Sequence, residues 1–279
     1  MITARTLRCS LPLVLVSAVL LVLFAGFPFV WMISTAFKDS HEIFATPPSL
    51  IPRTWTLDNL QRLFAETKAL TYLRNSVVVS LSTVAVTIAV ATPAAYSLTR
   101  FWFPGREQLA GTILFTYMFA PIMIIVPFYV MMRFLGLANT HIGLVLAYTA
   151  FCLPFGLWML RTFFQSIPLD IEQAAMVDGA NRLQTVLYIV LPLALPGVIA
   201  TSIFTFILTW NEYIFARILI SADELKTLPV GIADLYNASV VDWGMIMAAG
   251  LLVLTPVLGV FFVIQKYMVA GLGAGALKG

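Results

Sequence analysis

The sequence predicts an all-α membrane protein with six transmembrane helices. Two observations predict it. Of 279 residues, 61% are hydrophobic and only 10% charged, against roughly half and about a quarter in soluble domains. Mean hydropathy is +0.96. Such an apolar excess cannot all be hidden in a core that faces water, so lipid must solvate much of the surface. Second, six apolar stretches approach or exceed the about 20 residues with which a helix crosses a bilayer. They are Leu11–Phe37, Ser76–Ser97, Leu109–Met132, Ile142–Met159, Leu191–Ile214 and Trp243–Ile264.

The first stretch follows the basic start "MITARTLRCS". Its apolar run continues through "FAGFPFVWMISTAF", too long for a signal-peptide core, and no A-x-A cleavage site follows closely. It is expected to be a retained membrane helix. Cys9 does not fit a lipoprotein anchor, because Arg8 precedes it and the apolar run comes after it. The loop that follows, Lys38 to about Arg74, holds "PPSLIPRTWTLDNL". It reads as an extended segment feeding a short amphipathic helix on the membrane surface. An ordinary ordered loop and a surface for another protein remain alternatives.

The third and fifth stretches are irregular. Pro121 and Pro127 interrupt one, and Pro192 and Pro196 stand at the start of the other. Proline frees backbone carbonyls that neighbouring helices or water must satisfy. Each is expected either as a simple kink or as part of a packed pathway.

The net charge of +3 and the lack of a dense basic run exclude a nucleic-acid partner. Cys9 and Cys152 form no CxxC pair and, with His41 and His141, no metal-ligand cluster. Both histidines read as interfacial polar residues. No Gly-Lys dipeptide occurs, so the chain carries no P-loop for ATP. An even number of crossings places both termini on one side. Lys and Arg divide eight against eight between the two sides, so the positive-inside rule leaves orientation open. Arg5 and Arg8, with no acid near them, favour a cytoplasmic N-terminus. So do Asp39, Glu42, Asp58 and Glu66 among the bases of the first loop.

Between the fourth and fifth stretches lies "SIPLDIEQAAMVDGANRLQTVLYIVLPLALPG", residues 166–197. Pro168 suits a first helical turn. Asp170 and Glu172 follow where acids favour the helix dipole. Gln173, Ala174 and Ala175 are good helix formers, and Gly179 is a natural terminator. Asn181 and Gln184 make an N-cap and capping box for a second helix, expected to run amphipathically through Leu183, Val186, Leu187 and Val190. A short helix, a glycine turn and another helix are thus expected outside the bilayer core. Ala174, Ala175 and Gly179 offer a face with little bulk, beside Ile171 and Met176. That face suits either another surface or a self-contained connector lying on the membrane.

This segment resembles the EAA loop of permease subunits of ATP-binding-cassette importers. The matching residues are Glu172, Ala174, Ala175, Gly179, Ile189, Leu191 and Pro192. "TWNEYIF", "TLPVGIA", "DWGMIMAAG" and the terminal "QKYMVAGLGAGALKG" resemble the carbohydrate branch. The likeness is greatest to the second permease of maltose-type importers and covers essentially the whole chain. It implies the type I importer permease fold. By the resemblance, residues 1–10 are a cytoplasmic N-terminus and 11–268 a six-helix domain, with an extracytoplasmic loop 38–75 and a cytoplasmic coupling loop 166–190. Residues 269–279 are then a cytoplasmic tail.

The resemblance further implies that Glu172, Ala174, Ala175, Met176, Asp178 and Gly179 couple to a cytoplasmic ATPase. Gly271, Leu272, Gly275 and Lys278 of the tail would contact the ATPase dimer. The implied partners are a second homologous permease, two ATPase subunits that bind ATP and Mg, an extracytoplasmic solute-binding protein and the lipid bilayer. The location is a bacterial or archaeal cytoplasmic membrane, with both termini inside. The substrate is a sugar, with glycerol phosphate or another solute as the alternative. The chain itself would hold no cofactor or metal and no catalytic residue.

Asn211, Glu212 and Tyr213 stand at the far end of the fifth stretch. An ionisable residue at membrane depth is costly and faces the interior or a wet cavity. A place in the translocation path or its gate, and a helix-capping or interfacial role, are equal readings. Tyr117, Phe128, Tyr129 and Trp158 are candidates for stacking on sugar rings, with packing as the plainer role for each. The rival classes have less support: an ion-coupled secondary transporter rests on Glu212 alone, a channel lacks a polar ring, and a membrane enzyme lacks an acid–base constellation.

Overall fold

The computed structural model describes residues 4–119, 121–237 and 240–276, with side chains described between 14 and 262. No strand occurs among the described residues. Helix α1 (Ala4–Ala36) is followed by two short helices, α2 (Ser40–Ile43) and α3 (Asp58–Glu66). Then come α4 (Ala69–Arg100), α5 (Arg106–Thr116), α6 (Pro121–Phe134) and α7 (His141–Ser166). Beyond them lie α8 (Leu169–Val177), α9 (Arg182–Thr185), a π-helical turn (Val186–Val190), α10 (Leu191–Leu193) and α11 (Leu195–Trp210). The chain continues through α12 (Ile214–Leu219), a 3-10 turn (Asp223–Leu225), α13 (Leu228–Tyr236) and α14 (Trp243–Ala276).

Among the described residues, four helices are long and apolar enough to cross a membrane alone: α1, α4, α7 and α14. Two bent pairs, α5 with α6 at 96° and Arg182–Leu193 with α11 at 70°, pass the same test when each is taken as one span, which brings the number to six. These are the two stretches in which the sequence places its interrupting prolines. Pro121 opens α6 and Pro127 lies inside it. At the second break the Pro192 ring would clash with the carbonyl four residues earlier. The helix widens to a π turn, in which the Leu191 N–H donates to the Val186 carbonyl. The continuous helices outrun their apolar cores. For example, α4 begins at Ala69 rather than Ser76, and α7 ends at Ser166 rather than Met159, because helical hydrogen bonding continues where side chains turn polar.

The chain divides into two compact units, Met1–Ala69 with Ile232–Thr255, and Leu70–Gly231 with Pro256–Gly279. In the first, small residues allow close helix approach. Ala36, Ala69, Ala248 and Ala249 are buried with Leu63 and Met245. A short helix does follow the proline-rich segment of the first loop, as α3, and it buries Asn59 and Leu63. Asn59 Nδ2 donates to the carbonyls of Ala36 and Lys38, at 3.1 and 2.8 Å, and so ties down the end of α1. Asp242 caps α14 by accepting from Met245 N at 2.9 Å, and its other oxygen lies 2.7 Å from Arg62 Nη2.

The second unit has two cores. One gathers Tyr148, Leu144, Phe215, Leu219 and Val230. The other gathers Tyr96, Leu157, Leu160, Phe164 and Val190. Two buried hydroxyls bond back along their own helices, Thr83 to the Val79 carbonyl and Thr201 to Gly197, each at 2.8 Å. This satisfies them where no water reaches.

Candidate functional site

The segment between α7 and α9 folds by local rules. Pro168 is the N-cap residue of α8, one position before the first turn in which the sequence placed it, and Asp170 and Glu172 follow in that turn. The helix ends in a Schellman motif. Ala180 N donates to the Ala175 carbonyl at 3.0 Å and Gly179 N to the Met176 carbonyl at 3.2 Å. Gly179 has φ +93°, in the left-handed region that glycine enters at no steric cost. The capping box of α9 has both bonds: Gln184 N donates to Asn181 Oδ1 at 2.9 Å and Asn181 N to Gln184 Oε1 at 2.8 Å.

The six candidate coupling residues do not share one face. Glu172 and Ala175, one turn apart, are buried at 5% and 7% exposure. Ala174, Met176, Asp178 and Gly179 are exposed. So are Ile171, Leu169 and, at 86%, Val177. The element therefore has an anchoring face and a free apolar one. Beyond it, Leu183 and Leu187 are exposed, while Thr185 and Val190 are buried. The inward face of that second helix thus agrees with the one read from the sequence at Val186 and Val190 and differs from it at Leu183 and Leu187.

The anchor is electrostatic. Arg100 Nε, at the end of α4, donates to Glu172 Oε1 at 2.6 Å, and both side chains are 6% exposed. Tyr96 Oη donates to Glu172 Oε2 at 2.9 Å. Arg100 Nη2 also reaches the Ile167 carbonyl, at the end of α7, at 2.9 Å. Removing one member of a buried pair leaves the other charge unmatched, at a cost of about 3–5 kcal/mol. The Tyr96 ring meets Phe101 and Phe164 edge-on, at 6.1 and 5.9 Å. The Arg182 guanidinium lies over the Phe101 ring, 4.8 Å from its centre. A second tie joins α5 to α7, where Arg161 Nη2 donates to both oxygens of Glu107 at 2.7 Å.

Away from this joint, a cavity of about 340 Å³ is lined by Tyr117, Tyr148, Phe151, Thr209, Glu212 and Phe215, among others. Of the three candidate path residues only Glu212 lines it. Glu212 also caps α12, Oε1 accepting from Phe215 N at 2.9 Å and Oε2 from Ala216 N at 3.2 Å. Both readings of this residue thus have a structural basis. Asn211 is exposed and bonds to the Ile207 carbonyl of its own helix at 2.8 Å, and Tyr213 is exposed. Among the candidate stacking rings, Tyr117 lines the cavity. Phe128 packs edge-on against Phe215 at 5.6 Å, Tyr129 packs on the same core, and Trp158 borders a separate crevice with Arg161.

Asn139 has no role in the sequence reading. At φ +57°, it donates its N–H to the Leu219 carbonyl at 2.7 Å. Its Oδ1 accepts from Ser221 and Ala222, at 3.0 and 2.8 Å. His141 Nε2 sits 3.0 Å from the Leu225 carbonyl, and His41 is exposed. No cluster of metal-ligating side chains occurs among the described residues. The tail candidates Gly271, Leu272, Gly275 and Lys278 lie outside the residues whose side chains are described.

Residues 88–273 match the family described as binding-protein-dependent transport system inner membrane component. The chain is 36% identical over 255 residues to the inner membrane ABC transporter permease protein YcjP of Escherichia coli, covering 91% of each. It is 34% identical over 270 residues to the trehalose/maltose transport system permease protein MalG of Thermococcus litoralis, covering 96% of each. A chain from the crystal structure of a bacterial ABC transporter involved in the import of the acidic polysaccharide alginate superposes with a TM-score of 0.83 at 26% identity. That match covers 93% of this chain and 98% of that one. The chain belongs to the inner membrane components of binding-protein-dependent transport systems and, with its type I permease fold, is a multi-pass transport subunit of an ABC importer.

Proposed function

We propose that the chain forms half of the translocation pathway of an ATP-driven sugar importer, beside a second homologous permease. Two cytoplasmic ATPase subunits would hold ATP and Mg and drive it. An extracytoplasmic solute-binding protein would deliver the sugar. The observation that carries this reading is the two-faced helix α8, anchored through Glu172 and Ala175 and presenting Leu169, Met176 and Val177 outward. An exposed apolar ridge on a helix locked at both ends suits docking into a cleft of another protein. Docking on a cytoplasmic ATPase sets the topology, with the α8 loop and both termini inside. ATP-linked closure of the ATPases would then displace α8, and the coupling requires contacts that differ between two states.

A sugar substrate is supported by relatives such as the trehalose/maltose permease. Rings and a carboxylate around one cavity are also groups that engage hydroxylated ligands. Glycerol phosphate or another solute is the alternative, and an ion-coupled transporter is a more distant one. Val177→Cys tests the docking. In membranes holding the intact transporter it is expected to crosslink to the ATPase subunit. Ala175, at 7% exposure, is buried and does not suit the same test. ATP-dependent uptake by vesicles given the loaded binding protein tests transport. Uptake driven by an ion gradient without ATPase subunits would overturn the proposal.

A further inference from the structure

We infer that Arg100 and Tyr96 are positioning residues that carry the displacement of α8 into the membrane helices, and that Glu172 acts through them rather than on the ATPase surface. The inference rests on the docking reading of α8. Glu172 is the acid that marks the coupling motif, yet its carboxylate points into its own chain. One oxygen takes Arg100 at 2.6 Å and the other takes Tyr96 at 2.9 Å. With both side chains of the ion pair 6% exposed, no surface docked on the free face of α8 reaches that carboxylate without breaking the pair.

Arg100 does more than neutralise it. The guanidinium is a planar fork whose donors can serve two acceptors at fixed geometry. Here Nε holds α8 and Nη2 holds the Ile167 carbonyl, where α7 ends. The residue is the last of α4, where a cation also suits the helix dipole. One side chain thus joins the ends of α4 and α7 to the start of α8. A push on α8 is expected to move both long helices together, and loss of the fork to let α8 move alone.

The test is a double-mutant cycle in proteoliposomes holding the complete transporter, with sugar uptake per ATP hydrolysed as the readout. A merely structural defect lowers uptake and hydrolysis together and leaves this ratio unchanged. Arg100→Gln and Glu172→Gln should each lower the ratio about tenfold, and the double variant no further than about twofold below the worse single, since residues of one network are non-additive. Multiplying losses would mean that Glu172 acts elsewhere and would overturn the inference, as would an unchanged ratio in Arg100→Gln. Tyr96→Phe keeps the ring contacts and removes one donor. It should lower the ratio about threefold, and it decides alone if the charge variants fail to assemble, an unchanged ratio then overturning the inference. The Val177→Cys crosslink separates the two levels. Its absence in an intact complex overturns the docking reading and this inference with it, whereas its presence with an unchanged ratio overturns this inference only.

Discussion

The Asn59 side chain fills the space that a side chain at Gly244 would need. A Cβ there would overlap Asn59 Oδ1 and lie 2.6 Å from its Cγ. Asn59 cannot withdraw, because its amide nitrogen holds the two carbonyls at the end of α1. The glycine of the "DWG" sequence is therefore a packing requirement for the first unit. Gly244→Ala is expected to destabilise the protein by about 1–3 kcal/mol, the range for overpacking a rigid core. The check is the thermal midpoint of the purified protein in detergent, which should fall well below that of a control such as Gly26→Ala, where a Cβ meets nothing within 4 Å.

The aspartate of the same motif has two separable roles, the cap on α14 and the ion pair with Arg62. Asparagine caps as well as aspartate but carries no charge. Asp242→Asn should cost no more than about 1 kcal/mol, since both side chains of the pair are about a third exposed and solvent screens it. Asp242→Ala loses the cap too and should cost about 1–2 kcal/mol in total. Chemical denaturation of the pair of variants measures the gap. A larger loss in the asparagine variant would assign the stability to the ion pair instead.

Acid should loosen the first loop before the rest of its unit. The Ser49 hydroxyl, at 2.6 Å, and the Arg53 N–H, at 3.0 and 3.1 Å, hold the Glu42 carboxyl below its ordinary value. A carboxyl depressed on folding adds stability above its unfolded value, near pH 4.3, and that stability is lost as pH falls through the lower folded value. The protection of the Arg53 amide against hydrogen exchange, taken relative to the intrinsic rate at each pH, should therefore fall as the pH drops below about 4. Glu42→Gln should exchange faster at neutral pH and lose that acid step.

The coupling loop and its anchor divide what can be read from sequence from what cannot. The Asn181–Gln184 box and the Gly179 stop are local, with partners within a few residues, so propensity and spacing reveal them. The burial of Glu172 depends on Arg100 and Tyr96, 72 and 76 residues earlier, and no periodicity carries that. Counted by residue type, Glu172 belongs with the exposed acids, and only the fold turns it inward. Asn139 fails for the same reason, since its bonds to Ser221 and Ala222 span 82 and 83 residues. The two bent helix pairs show the reverse case. Pro121, which opens α6, and Pro196, in the first turn of α11, are local signals that mark the two breaks, whereas Pro127 lies inside a continuous helix.

Gly179 gives the last prediction, because the turn it makes can be varied without touching the anchor. A Cβ there would meet no atom within 4 Å, so steric contact forbids nothing, but φ is +93°. Left-handed backbone costs a residue with a Cβ roughly 1–2 kcal/mol, and asparagine tolerates it best. The Schellman bonds from Gly179 and Ala180 to Met176 and Ala175 need that conformation. Substitution is thus expected to fray the last turn of α8, where the exposed Met176 and Val177 lie. Gly179→Asn should keep most ATP-dependent uptake, Gly179→Ala less, and Gly179→Val least, with the Glu172–Arg100 pair intact in all three. Uptake in vesicles, beside the Val177→Cys crosslinking yield in the same backgrounds, checks the order. If uptake falls while the crosslinking yield holds, the turn matters for something other than presenting Val177. If the two fall together, the left-handed glycine is what holds the ridge in place for docking.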